Sequence, residues 1–189
     1  MSKSRLEAFS DGVFAIIITI MVLELKVPAS GSWRELTKPL FVSTLSAYFL
    51  SFLFIASFWI SHHTIIAPVE TVDRLLLWTN NALLFPISLL PLVTAWHGEF
   101  PDKIAPSIAY ISIYVLSVIV LYILGQVSLK RTVKSKRAAC YQGNRLRLWL
   151  SLFGLFAILI TLVFPAMASI TVLGILIFWL INSSRKKGA

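Results

Sequence analysis

Long runs of apolar residues, with the charged residues gathered between them, constrain this chain more than any other feature. A soluble domain intersperses apolar and charged residues. Here the apolar runs are each about 20 residues long, enough for a helix to cross a hydrocarbon core of roughly 30 Å. Of the 189 residues, 58% are apolar. The pattern predicts an all-α membrane protein, with residues 1–189 forming one helical transmembrane domain.

Six spans are expected: about Leu6 to Leu25, Phe41 to Ile66, Leu75 to Trp96, Pro106 to Leu129, Leu146 to Phe164, and Ala166 to Asn182. The last two are divided at Pro165. Proline lacks an amide proton and clashes with the preceding turn, so a break is expected there rather than one long kinked helix. Charge tests the count. With odd connections outside, the inside set is Lys3, Arg5, Arg74, Lys130, Arg131, Lys134, Lys136, Arg137, Arg145, Arg147, Arg185, Lys186 and Lys187. Only Lys26, Arg34, Lys38 and Lys103 fall outside. That asymmetry predicts cytoplasmic N and C termini.

The net charge of +9 does not call for nucleic acid, because the basic residues sit at span ends and in one connection, where topology requires them. The lone Cys140 excludes a disulfide framework. Asp11 interrupts the first apolar stretch early, and Glu24 and Lys26 flank its end, which argues against a cleaved signal peptide. Ser32-Trp33-Arg34-Glu35 has capping-box spacing and predicts a short helix in the first outer loop.

Polar residues within the spans carry the functional argument. Arg5, Glu7, Ser10 and Asp11 open the first span. Asp11 lies about 9 Å beyond Arg5 along a helix, and a carboxylate at that depth needs a protein partner. Trp59, Ser61, His62 and His63 end the second span, and Trp78, Asn80 and Asn81 begin the third. Alternating topology puts all three groups at one level. A hydrogen-bonded cluster of Arg5, Ser10 and Asp11 with one histidine and one asparagine is the favoured reading, since neutral imidazole both donates and accepts. A His–Asp catalytic pair lacks a nucleophile, and a metal site lacks a third or fourth converging ligand. Neither an enzyme nor a bound cofactor is expected.

On a helical wheel at ~100° per residue, Ile16, Ile20 and Leu23 form one stripe with Thr19 at its edge, and Asp11 points about 140° away from Ile16. Such a stripe packs as core, faces lipid, or lines a pore whose aliphatic rings gate by dewetting.

The first span reads Arg5-Leu6-Glu7-Ala8-Phe9-Ser10-Asp11, an R-x-x-x-F-S-D pattern. With Trp59, His62 and His63, the Leu76-Leu77-Trp78-Thr79-Asn80 stretch and Ser88-Leu89-Leu90-Pro91, it resembles the signature of the transmembrane protein 175 family of potassium channels, in its prokaryotic single-repeat form. The resemblance covers the first half of the chain. The second half agrees only in span number and hydrophobicity. The resemblance implies a homotetramer in a prokaryotic plasma membrane, with the first helix lining a central pore and potassium as the permeant ion. It implies constriction rings at Ile16, Ile20 and Leu23 and a hydroxyl layer at Thr19. It also implies a supporting cluster of Arg5, Phe9, Ser10 and Asp11, with His62 and Asn80 as the partners favoured by position. The competing reading is a secondary transporter in which Asp11 and His62 relay protons.

Overall fold

The computed structural model describes residues 2–185, with side chains through 181. Helix α1 covers Lys3–Leu23, α2 Pro39–Ile66, α3 Arg74–Ser88, α4 Leu90–Glu99, α5 Ile104–Leu129, α6 Arg137–Thr161 and α7 Met167–Arg185. Short 3-10 turns lie at Trp33–Thr37 and Lys134–Lys136. An isolated antiparallel bridge joins Val69 to Thr132. Helices α3 and α4 are two halves of the third span. Five spans are long and apolar enough to cross a membrane, and Met167–Ile181 is a shorter apolar helix. The protein is a multi-pass membrane protein built from helices. Lys186 and Lys187, members of the expected basic set, lie outside the described residues, as does the Arg185 side chain.

Prolines set the break in the third span. Pro86 lies inside α3 and Pro91 in the first turn of α4. Between them the Leu89 amide donates to the Pro86 carbonyl at 3.2 Å, a tightened turn, and regular pairing resumes from Val93 to Leu89. Helix α6, the fifth apolar span, begins at Arg137, well before the expected Leu146. Its first turns are polar, so hydropathy does not register them. Outside the apolar run they are held by contacts such as Arg137 Nε donating to the Thr132 carbonyl at 3.0 Å. At Pro165 the chain turns, with Met167 N donating to the Phe164 carbonyl at 3.0 Å, and α6 and α7 are separate helices. Ser32 does cap the short turn at Trp33, accepting from the Arg34 amide at 3.3 Å. Glu35 turns to Lys38 instead of closing the box, at 2.7 Å.

Contacts between connections fix which ends of the helices coincide. Lys3 Nζ donates to the Ala67 carbonyl. The Glu70 amide donates to Arg131 O at 2.9 Å and the Val133 amide to Pro68 O at 3.1 Å. The N terminus and the second and fourth connections therefore share one end, here called the basic face. At the opposite end Lys26 pairs with Glu99 at 2.7 Å.

Helix α5 is the centre of the bundle and packs against α2, α3, α4, α6 and α7. Tyr110, Ile111, Tyr114 and Leu124 on it are almost fully buried. Tyr114 meets Phe54 of α2 with ring centroids 3.9 Å apart. Close approach of α6 depends on Gly154, where a Cβ would lie 2.6 Å from Val115 Cγ2. In lipid, helices associate by packing rather than by a hydrophobic driving force, so small residues at crossings matter.

Two predictions follow from this packing. Gly154→Ala should lower thermal stability in detergent by about 1–3 kcal/mol through overpacking, and adding Val115→Ala should restore part of it. Equal melting of Gly154→Ala and wild type would refute the crossing. At the basic face, Asp73 caps α3 by accepting from the Leu76 amide at 2.9 Å and also pairs with Arg131. The Arg131 guanidinium, aided by the cap bond, holds the Asp73 carboxyl below its usual value. Its stabilisation is therefore present above the ordinary carboxylate range and is lost as pH falls through the depressed value. Asp73→Asn should melt earlier than wild type at neutral pH, and acid titration of the melting curves should close the gap.

Candidate functional site: the first helix and its anchor

The N-terminal half of α1 is held by one buried asparagine. Asn80 of α3 lies where α1, α2 and α3 meet, and it is only 1% exposed. Its Nδ2 donates to Ser10 Oγ at 3.0 Å, and its Oδ1 lies 2.7 Å from His62 Nε2. This amide orientation makes Nε2 a protonated, donating nitrogen of His62. The Ser10 hydroxyl donates to the Leu6 carbonyl at 2.9 Å. His62 also packs on Phe14, one turn further along α1, with ring centroids 5.7 Å apart. His63 and Asn81, the neighbours in sequence, are exposed. A helix advances ~100° per residue, so the adjacent member of each pair points away from the junction.

Asp11 is not in this chain of bonds. It is exposed and accepts a 2.8 Å bond from Trp59 Nε1, on the rim between α1 and α2. Arg5 and Phe9 are likewise exposed, and no side-chain hydrogen bond or ion pair of Arg5 occurs among the described residues. The reason is angular. Arg5 points about 140° from Ser10 on the α1 wheel. The structure thus brings Ser10, His62 and Asn80 together, joins Asp11 to Trp59 beside them, and leaves Arg5 and Phe9 uncovered.

The far half of α1 divides sharply. Phe14, Ile17 and Met21 are buried, at 5% exposure or less. Ile16, Ile20 and Leu23 are 58%, 44% and 78% exposed and form a continuous uncovered stripe. Thr19 is exposed beside them, its hydroxyl donating back to the Ile16 carbonyl at 2.8 Å. That bond uses the hydroxyl proton and leaves oxygen lone pairs facing outward.

A second polar network, at the opposite end, is invisible to the sequence reading above. Thr94 Oγ1 donates to Ser51 Oγ at 2.7 Å, and Ser51 meets the Tyr110 hydroxyl at 3.1 Å. His97 stacks on Tyr110 and bonds Ser169 at 2.7 Å and Ser107 at 3.2 Å. It ties α2, α4, α5 and α7. The available signal was the spacing of Thr94 with His97 and of Ser107 with Tyr110, each pair one turn apart within apolar runs. Among the described residues no group of three or more His, Cys, Asp or Glu side chains could hold a metal ion.

The arrangement is that of a multi-pass helical membrane protein whose first helix is anchored on one side and bare on the other. Residues 5–91 match the family described as the endosomal/lysosomal potassium channel TMEM175. Over that stretch, a little under half of the chain, the sequence is similar to the TMEM175 family. A potassium channel of Chryseobacterium is 52% identical over 98 residues, which cover 52% of this chain and 50% of that protein. The human endosomal/lysosomal proton channel TMEM175 is 33% identical over 110 residues, covering 53% of this chain and 22% of that one. The matched stretch thus spans about half the length of the bacterial relative. In structure the likeness is longer. A crystal structure described as a lysosomal potassium-selective channel TMEM175 homolog from Chamaesiphon minutus superposes with a TM-score of 0.79 at 26% identity, over 96% of this chain and 97% of that one.

The anchor can be tested directly. Asn80→Leu strands the His62 and Ser10 polar groups and should cost about 1–3 kcal/mol of stability. Asn81→Leu, at the exposed neighbour, should stay within about 0.5 kcal/mol of wild type. Melting of the two variants in detergent, read side by side, checks this; equal losses would refute it.

Proposed function

We propose that the chain is one subunit of a homotetrameric, potassium-permeable channel, with α1 of each subunit lining a central pore. The observation that carries the reading is the two-sidedness of α1. Its Ser10, Phe14, Ile17 face is committed to the subunit, while Ile16, Thr19, Ile20 and Leu23 face outward and are exposed. Around a symmetry axis, Ile16, Ile20 and Leu23 make successive aliphatic rings. Such rings exclude water when narrow and so close a pore without any moving plug. Thr19 supplies a ring of hydroxyl oxygens between them. Flux is passive, driven by the electrochemical gradient. Bacterial relatives named potassium channels and the structural neighbour named a potassium-selective channel support the choice of ion.

In this reading the anchor is a rotational stop. Turning α1 to bury Ile16 would break the Ser10–Asn80–His62 chain inside the membrane, where a lost hydrogen bond has no water to replace it. Arg5 and Phe9 lie on the same side as the stripe, so they sit at the pore's mouth on the basic face, whereas Asp11 points to a different face and is held by Trp59. The transporter alternative needs protons to pass between Asp11 and His62. Those two side chains are bonded to Trp59 and Asn80 respectively and not to each other, which weighs against it.

Purified protein in liposomes should carry potassium down its gradient, and its mass in detergent should be that of four chains. Ile16→Asn, which wets the first ring, should raise resting flux several-fold. Thr19→Val should shift the bi-ionic potassium/sodium reversal potential. No current from well-incorporated protein would overturn the channel, and saturable proton-coupled flux would replace it with a transporter.

A further inference from the structure

Arg147 carries a buried guanidinium whose Nε has no hydrogen-bond partner among the described residues. It lies on α6 and is only 8% exposed. No ion pair reaches the side chain among the described residues. Buried charges are normally paired, because the loss of hydration is otherwise uncompensated. Ser128 Oγ, on the last turn of α5, is 2% exposed and equally without a partner. Both residues line the same cavity of about 410 Å³, which opens beneath the connections of the basic face. Lys136 lines it from the loop side, and His63 and Thr64 from α2. No carboxylate is among its lining residues. Thr132 and Cys140 also line it, and most of the remaining wall is apolar, including Leu146 and Trp179.

We propose that this cavity is a binding site for a phosphate group, of the kind carried by an anionic phospholipid in the leaflet at the basic face. A guanidinium fork, a hydroxyl and an ammonium together match a phosphate in charge and donor geometry. The buried arginine and serine have spare donors, and an anion is the one ligand class that satisfies them with no new buried charge left over. The apolar wall of Leu146 and Trp179 accepts the glycerol and first acyl carbons that follow a lipid phosphate. Neither the pore-facing stripe nor the Asn80 anchor takes part, so the site is separate from the proposed channel path.

Native mass spectrometry of the full-length protein, purified in detergent and titrated with lipid, tests the site. Phosphatidylglycerol should be retained roughly tenfold more strongly than phosphatidylcholine, whose choline cation cancels the phosphate charge and meets the cationic cavity with like charge; this is the size of effect expected for one hydrogen bond to a charged group. Arg147→Met, close in volume, should abolish the preference. Ser128→Ala with Lys136→Gln alters one unpartnered hydroxyl and one exposed lysine; it leaves the fold intact and should weaken the preference even if Arg147→Met does not assemble. Inorganic phosphate is the third arm. If phosphate alone displaces phosphatidylglycerol, the cradle is right and free phosphate also occupies it; if it does not, the lipid is the ligand. Equal retention of the two lipids by wild type, or an undiminished preference in both variants, overturns the site.

Discussion

Asn80 makes the bonds on which the orientation of α1 depends. One amide donates to Ser10 and accepts from His62, and so ties three helices in a place where water cannot substitute. An apolar helix in lipid has no strong preference for one rotation over another, because lipid tails and Leu side chains are alike in polarity. A buried hydrogen-bonded group does impose a preference, since every other rotation leaves a polar atom stranded. The exposure of Ile16, Ile20 and Leu23 is the geometric consequence of that single commitment on the opposite face.

The bundle repeats this device at its other end. The network through Ser51, Thr94, His97, Tyr110, Ser107 and Ser169 joins four helices, three of them outside the Asn80 junction. Between the two polar levels the core is aliphatic and aromatic, centred on α5, with Tyr114 against Phe54 and Gly154 admitting Val115. Polar levels set which helices are neighbours and how they are rotated. The apolar middle layer supplies close packing. Arg147 and Ser128 stand apart from both levels as buried groups whose Nε and Oγ have no hydrogen-bond partner among the described residues, which is why they read as a site for a ligand rather than as part of the scaffold.

The helical membrane class and the level shared by the helix ends were legible in the sequence because they follow from run length and charge placement, which are properties of the chain alone. Proline positions told where α6 gives way to α7. They also marked the third span, although its division into α3 and α4 at Leu89 depends on how the turn between Pro86 and Pro91 tightens. The polar start of α6 escaped because hydropathy detects apolar length and not helicity. The His97 network escaped for a related reason. Single serines and threonines in an apolar run carry no signal until the facing helix is known.

By itself, the sequence determined that the chain crosses a membrane repeatedly as helices, which residues share a membrane level, and that Asp11 and the Ile16 stripe lie on different faces of one helix. Those are consequences of rise per residue, turn angle and hydropathy. Only the tertiary structure decided between His62 and His63 and between Asn80 and Asn81, moved Asp11 to Trp59, and left Arg5 uncovered. Each of those choices depends on which helix stands opposite and how it is rotated. That is fixed by the satisfaction of buried hydrogen bonds between segments distant in the chain, a condition that no local pattern of residues contains.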